Sequence, residues 1–144
     1  MSEDPPAPLI RKIDCVRFSV PDLDAGLAFY RGRLGHQLNW RTATAAGLRL
    51  PESDAEIVLQ TERPGLETDF LVDSADEAAQ RFVDVGGSLV AGPFDIQIGR
   101  CAVVADPWGN VLVLLDLSKG RLVTDADGNV MGNEPPHQQQ PTAR

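Results

Sequence analysis

Four side chains on two strand-like segments carry most of the reactive chemistry in this sequence: Cys15 and Arg17 on the first, Glu67 and Asp69 on the second. Each pair is separated by one residue, so in extended backbone its members share a face. Cys15 is a nucleophile if a neighbouring cation such as Arg17 lowers its pKa, and otherwise a small packed thiol. Glu67 and Asp69 can push each other's pKa values apart and serve as an acid/base pair, hold a cation, or pair with Arg17. Cys15, Glu67 and Asp69 are also the one set that can gather a soft metal ion. A two-histidine site is excluded on count, because His36 directly follows a helix-ending Gly35 and His137 lies in the C-terminal segment.

The elements that hold these residues repeat. With an offset of 52, Phe18 falls on Phe70, Val20 on Val72, Asp24 on Asp76, Tyr30 on Phe82 and Gly35 on Gly87. Val16, Phe18 and Val20 alternate as one face of a half-buried strand, which turns Cys15, Arg17 and Ser19 to the other face. Asp22 or Asp24 then opens a helix whose apolar stripe is Leu23, Leu27, Tyr30 and Leu34, ended by Gly35. In the second copy Thr68, Phe70 and Val72 share a strand face, so Glu67, Asp69 and Leu71 share the opposite one. Asp73 or Ser74 caps, Ala75, Ala78, Ala79, Phe82 and Val85 form the stripe, and Gly86-Gly87 ends the helix.

Three short strands are expected after each helix, near 37–41, 47–50 and 56–60, and near 88–91, 100–105 and 111–116. The closing strands, Ile57-Val58-Leu59 and Leu112-Val113-Leu114, match at an offset of 55, so the second copy carries three extra residues, placed around 92–99. The fold class is therefore α+β: two tandem βαβββ modules, 10–62 and 66–118, forming one curved mixed sheet around a cleft. Residues 1–9 are an N-terminal extension, and Arg63-Pro64-Gly65 is the joint. The segment 119–144 is a polar tail in which Asp125–Asn129 turns a short hairpin, with a mobile, dispensable end from Glu134. Asp125-x-Asp127-Gly128 lacks the glycine and glutamate an EF-hand loop requires at its sixth and twelfth positions, so it reads as a turn.

Composition narrows the function. The net charge of −8 falls on residues 13–118, since both ends balance. A domain of that charge is a poor match for phosphate backbones, which excludes nucleic acid as the expected partner. No run of eighteen apolar residues is present and the acidic, Pro-rich start is unlike a signal peptide. With two cysteines in strand-like runs and no disulfide framework, a cytoplasmic protein is expected, with no membrane partner.

Val20-Pro-Asp-Leu-Asp24 leading to Phe29-Tyr30 and Leu34-Gly35, with Asp106-Pro-Trp-Gly-Asn-Val111 near the end of the second copy, resembles the vicinal oxygen chelate superfamily. That superfamily includes glyoxalase I, extradiol dioxygenases and the bleomycin-resistance binding proteins, and the resemblance covers about residues 10–118. It implies metal ligands on the first and last strands of each copy, at positions matching Cys15, Val58, Glu67 and Val113. Valine donates nothing to a metal, so no metal and no cofactor are expected, and the metal-free bleomycin-resistance-like members are the nearest in kind. The expected cleft carries Cys15, Arg17, Trp40, Val58, Gln60, Glu67, Asp69, Val113 and Leu115. It is read as a site for sequestering or sensing a small organic molecule, with a cationic one as an option, since Glu67 and Asp69 would otherwise need Arg17 to meet their charge. The alternative is a lyase, isomerase or dioxygenase-type enzyme acting on a small carbonyl or aromatic compound, with Glu67, Asp69 or Cys15 catalytic. A homodimer is expected, because two such modules leave sheet edges to cover.

Overall fold

The computed structural model describes residues 5–136. Module one is β1 (Lys12–Ser19), α1 (Leu23–Leu27), β2 (Leu38–Arg41), β3 (Ala45–Leu50) and β4 (Ser53–Gln60). Module two is β5 (Glu67–Leu71), α2 (Ala75–Asp84), β6 (Ser88–Ile96), β7 (Gly99–Ala105) and β8 (Val111–Leu115). They build one eight-stranded mixed sheet in the order β2-β3-β4-β1-β5-β8-β7-β6. The first strand of each module runs parallel to its last, and β1 joins β5 antiparallel at the centre. Both halves thus share one topology, as the sequence repeat requires.

Each helix covers its own half of the sheet. Asp22 caps α1 through the Ala25 amide and Ser74 caps α2 through the Glu77 amide, which decides between the two candidates at each start. Leu23 and Leu27 pack with Leu48 and Leu59; Ala75, Ala78 and Ala79 pack with Val104 and Leu114. Two predicted stripe residues are not in these cores. Ala28–Arg33 is wound as a π-helix, with the Leu34 amide bonded to the Phe29 carbonyl. The wider turn rotates Leu34 off the stripe, and it is 53% exposed. Val85 lies past the last turn of α2 and is 77% exposed. The extra residues of module two enlarge β6, which continues to Ile96 through two register shifts.

The N-terminal segment docks rather than trails: Leu9 packs against the α2 core, and Arg81 donates to the Ala7 carbonyl at 2.6 Å. The C-terminal segment departs most from a loose polar tail. Arg121–Thr124 (β9) and Val130–Glu134 (β10) form a two-stranded ribbon. Its turn repeats the one between β7 and β8: Asp125 accepts from the amides of Asp127 and Asn129 just as Asp106 accepts from those of Trp108 and Asn110. At one end the Lys119 amide donates to the Ile98 carbonyl (3.0 Å) and the Asn133 side chain to the Gln97 carbonyl (2.9 Å). At the other, the Arg41 amide donates to the Gly128 carbonyl at 2.8 Å. The ribbon therefore ties the β6–β7 hairpin to the edge strand β2.

This placement corrects the expected start of the dispensable end. Glu134 belongs to β10, facing Arg121 across the ribbon at 3.3 Å, so a chain cut after Gly132 loses paired residues. The remainder of the expected mobile end, 137–144, lies outside the described residues. No helix among the described residues is long and apolar enough to cross a membrane.

Candidate functional site

The concave face of the sheet and the ribbon enclose a cleft of about 780 Å³. Alternation along the strands brings Cys15, Arg17, Val58, Glu67, Asp69, Val113 and Leu115 to its wall, with Trp40 from β2. Trp40 lies across β3 above Gly47, where any side chain would overlap the indole ring. Its Nε1 donates to Glu56 at 3.0 Å, and burial raises the Glu56 carboxyl despite bonds from Trp40 and Asn39.

The polar floor is a ladder across β1 and β5. Arg17 stands opposite Glu67 and Cys15 opposite Asp69. The Glu67 carboxylate is gripped by both ends of the Arg63 guanidinium (2.9 and 3.1 Å), with Arg17 at 3.8 Å. Burial works against its charge, but hydrogen bonds from Asp69 and Arg63 outweigh that and hold Glu67 below the usual range. Asp69 behaves oppositely. It is 4% exposed, and burial, with the hydrogen bond and charge of Glu67, pushes it up to about 8. Near neutral pH the pair is therefore one carboxylic acid and one carboxylate. Among the described residues the side-chain atoms Asp69 Oδ1 and Arg17 Nε are buried without a hydrogen-bond partner, although Arg17 Nε is the atom that faces Glu67 at 3.8 Å.

This has a measurable consequence for stability. Asp69 ionises near pH 4 in an unfolded chain, so between about pH 4 and 8 the native state holds the extra proton and stability falls as pH rises. One proton sets a limit of about 1.4 kcal/mol per pH unit. Asp69→Asn removes this slope, so urea titrations at about pH 5 and about pH 8 should show the variant gaining on the wild type. An unchanged gap would mean Asp69 is already ionised in the native protein.

Several assignments change. Cys15 is 3% exposed, and its thiol donates to Asp69 Oδ2 at 3.5 Å. Burial, then the charges of Asp69 and Asp14, push its pKa far up despite Arg17, so it is a packed thiol and not a nucleophile. Gln60 does not reach the cleft. Its Oε1 accepts from the Glu62 and Arg63 amides (2.7 and 2.9 Å) and its Nε2 donates to the Arg63 carbonyl (2.7 Å), which shapes the turn carrying Arg63. With Glu67 already met by two arginines, that residue no longer supplies the reason to expect a cationic ligand. Arg100, near the start of β7, pairs with Asp76 and Asp95 outside the cleft.

The sequence model of the glyoxalase-like domain matches residues 15–115. The chain belongs to the glyoxalase-like family. The shared fold extends to methylmalonyl-CoA epimerase from Mycobacterium tuberculosis, with TM-score 0.65 and 22% identity, covering 79% of this chain and 93% of that one. Homoprotocatechuate 2,3-dioxygenase from Brevibacterium fuscum matches with TM-score 0.58 and 23% identity, over 78% of this chain but 38% of the other. A hypothetical protein from Bacillus halodurans matches with TM-score 0.63 and 18% identity, over 79% and 98% of the two chains. Among curated proteins nothing matches. The architecture places this glyoxalase-like protein in the vicinal oxygen chelate superfamily.

The metal that superfamily implies does not fit the residues present. Val58 and Val113 pair in register with Arg17 and Asp69, so two of the four matching positions present methyl groups to the cleft. Of the other two, Cys15 keeps its proton and Glu67 is occupied by Arg63. Among the described residues no three His, Cys, Asp or Glu side chains form a metal-holding group.

Sequence reasoning missed Glu56, Arg63 and Asp14. Glu56 sits two before Val58 on the same strand, so alternation already placed it on the cleft. Arg63 falls in the segment that the repeat makes a joint, although its separation of four from Glu67 is visible in the sequence. Asp14 faces the cleft because β1 changes register between Ile13 and Cys15, which breaks the alternation. The ribbon's contribution, including Arg121, Leu122 and Val130, had only the repeated Asp-x-x-Gly-Asn turn as its signal.

Proposed function

We propose that this glyoxalase-like protein binds a small organic molecule without a metal ion, sequestering or sensing it as the bleomycin-resistance branch does. The observation that carries this reading is the pair Val58 and Val113, apolar where a chelating site needs donors, in a cleft large enough for a ligand of two or three rings. Elemental analysis of the purified protein should find no stoichiometric Zn, Ni, Fe or Mn, and a thermal-shift screen in the presence of a chelator should still find stabilising ligands. About one equivalent of metal, lost on Glu67→Ala, would overturn the reading.

A second reading has one observation in its favour, the proton shared by Asp69 and Glu67. An acid and a carboxylate side by side can move a proton on a bound substrate, and two of the structural relatives are enzymes by name. In that case Asp69→Asn would abolish turnover of a substrate it still binds. A homodimer is part of the proposal as well: on edge strand β6, Leu89, Val90 and Phe94 are 46%, 56% and 43% exposed. Light scattering at micromolar concentration that returned a 15.5 kDa species would count against it.

A further inference from the structure

The repeat accounts for the two halves of the sheet, and two pieces of chain fall outside it: the extra residues of module two around 92–99 and the ribbon. Both reach the same part of the cleft. The extra residues carry Phe94, Ile96 and Ile98 to its wall, and the ribbon adds Leu122 and Val130. The two pieces are fastened to each other. At the root of the ribbon the Lys119 amide and ammonium donate to the Ile98 and Ile96 carbonyls (3.0 and 3.1 Å), and Asn133 bonds both the Gln97 side chain and its carbonyl. Alternation along β7 and β8 turns Val103, Val113 and Leu115 to the cleft while Ala102, Val104 and Leu114 fill the α2 core. Phe94 is 43% exposed, and Ile96, Ile98, Val103 and Val113 are only partly buried, so this side of the cleft keeps apolar surface uncovered.

Charge is confined to the other side. Every carboxyl group and arginine on the wall sits on β1, β4, the β4–β5 turn or β5, apart from Arg121 of the ribbon. From β6, β7 and β8 the only ionisable lining group is the Cys101 thiol, which burial pushes up to about 11 and so keeps neutral. The arginines are matched within the chain: Arg17 and Arg63 face Glu62 and Glu67 at 2.9 to 3.8 Å, and Arg121 faces Glu134 at 3.3 Å. An anion lodged against β6–β8 would give up its hydration and find no unpaired arginine, and a cation there would find no carboxylate. An uncharged ring system gives up little hydration and covers several apolar side chains at once.

We propose that an uncharged, ring-bearing molecule binds in the module-two side of the cleft, its apolar body packed in a chamber between residues 94–98, the cleft face of β7 and β8, and the ribbon. This rests on the metal-free binding reading and places the ligand within it. The test is a fluorescence titration of the full chain at neutral pH with methylnaphthalene, naphthoate and naphthylmethylammonium, all substituted at the same ring position. The uncharged compound is expected to bind about tenfold or more tightly than either ion. Val103→Trp, which puts an indole into the chamber, should weaken methylnaphthalene by about tenfold or more. Ile98→Ser lies at a turn where the fold loses little, and should weaken it about threefold even if the larger change prevents folding. An ion that binds as tightly as methylnaphthalene would overturn the uncharged class. Affinity unmoved in the folded variants would overturn the location. Failure of all three probes while the thermal-shift screen still yields ligands would overturn this assignment alone, and failure of both would remove the binding reading with it.

Discussion

Ending the chain after Ser118, which deletes the β9–β10 ribbon, is expected to weaken the binding of a ligand found in the thermal-shift screen by tenfold or more and to lower Tm by about 8 °C. The ribbon supplies the fourth side of the cleft through Gly120, Arg121, Leu122 and Val130. Without it, Val113, Leu115, Phe94 and Ile96 face open solvent and the ligand's apolar body loses part of its enclosure. The loss of partly buried Leu122 and Val130, each worth about 1 kcal/mol, sets the thermal effect, at about 4 °C per kcal/mol for a domain of this size. Gly120→Val offers a gentler version. Gly120 has φ +90°, and a side chain there would overlap the Glu134 carbonyl, so the ribbon must lift without being removed. Unchanged affinity in both variants would mean that the ribbon covers the cleft without contacting what binds there.

Asp116→Ala is expected to be the most destabilising single change, at about 3 kcal/mol or more. Asp116 is 4% exposed and accepts from four donors: the Ala75 amide (2.8 Å), the Arg100 amide (3.0 Å), and the Ser118 amide (3.1 Å) and hydroxyl (2.7 Å). One carboxylate thus joins the first turn of α2, the start of β7 and the exit of β8. Its removal leaves the Ala75 and Arg100 amides unpaired. Burial alone would raise its pKa, but these bonds outweigh it and hold the carboxyl below the usual range. The native state therefore binds this proton less readily than the unfolded chain. The stability it provides is complete above about pH 4 and is lost as pH falls through the lower native value. Urea unfolding should show the wild type well ahead of Asp116→Ala at about pH 7 and the gap narrowing below about pH 4. A gap independent of pH would mean that the loss comes from packing and not from the carboxylate.

The fold was legible because it is written twice. An offset that aligns Phe18 with Phe70 and Val20 with Val72 implies two halves of one topology, and the parallel pairs β1–β4 and β5–β8 match each other accordingly. The cleft face of β1 and β5 followed from alternation alone. Alternation fails wherever the backbone adds a residue, as at Asp14, and helical periodicity fails where a turn widens, as at Leu34. The division of labour in the acid pair was not legible either. Which of Glu67 and Asp69 keeps its proton depends on Arg63, whose reach is fixed by the Gln60-braced turn and not by any strand pattern. The ribbon was visible as a hairpin but not as a wall, since its place over the cleft rests on hydrogen bonds to Arg41, Gln97 and Ile98 from distant parts of the chain.

That ribbon also sets a timescale. A body filling the cleft touches the ribbon along one side, so its arrival and departure are expected to be coupled to local release of the ribbon from the β6–β7 hairpin and β2. The attachments are few, and such openings fall in the microsecond-to-millisecond range. Gating of this kind slows association and dissociation by one common factor and leaves the equilibrium constant untouched. A protein built this way holds each molecule for longer than its affinity alone would predict, a property that serves retention better than rapid exchange.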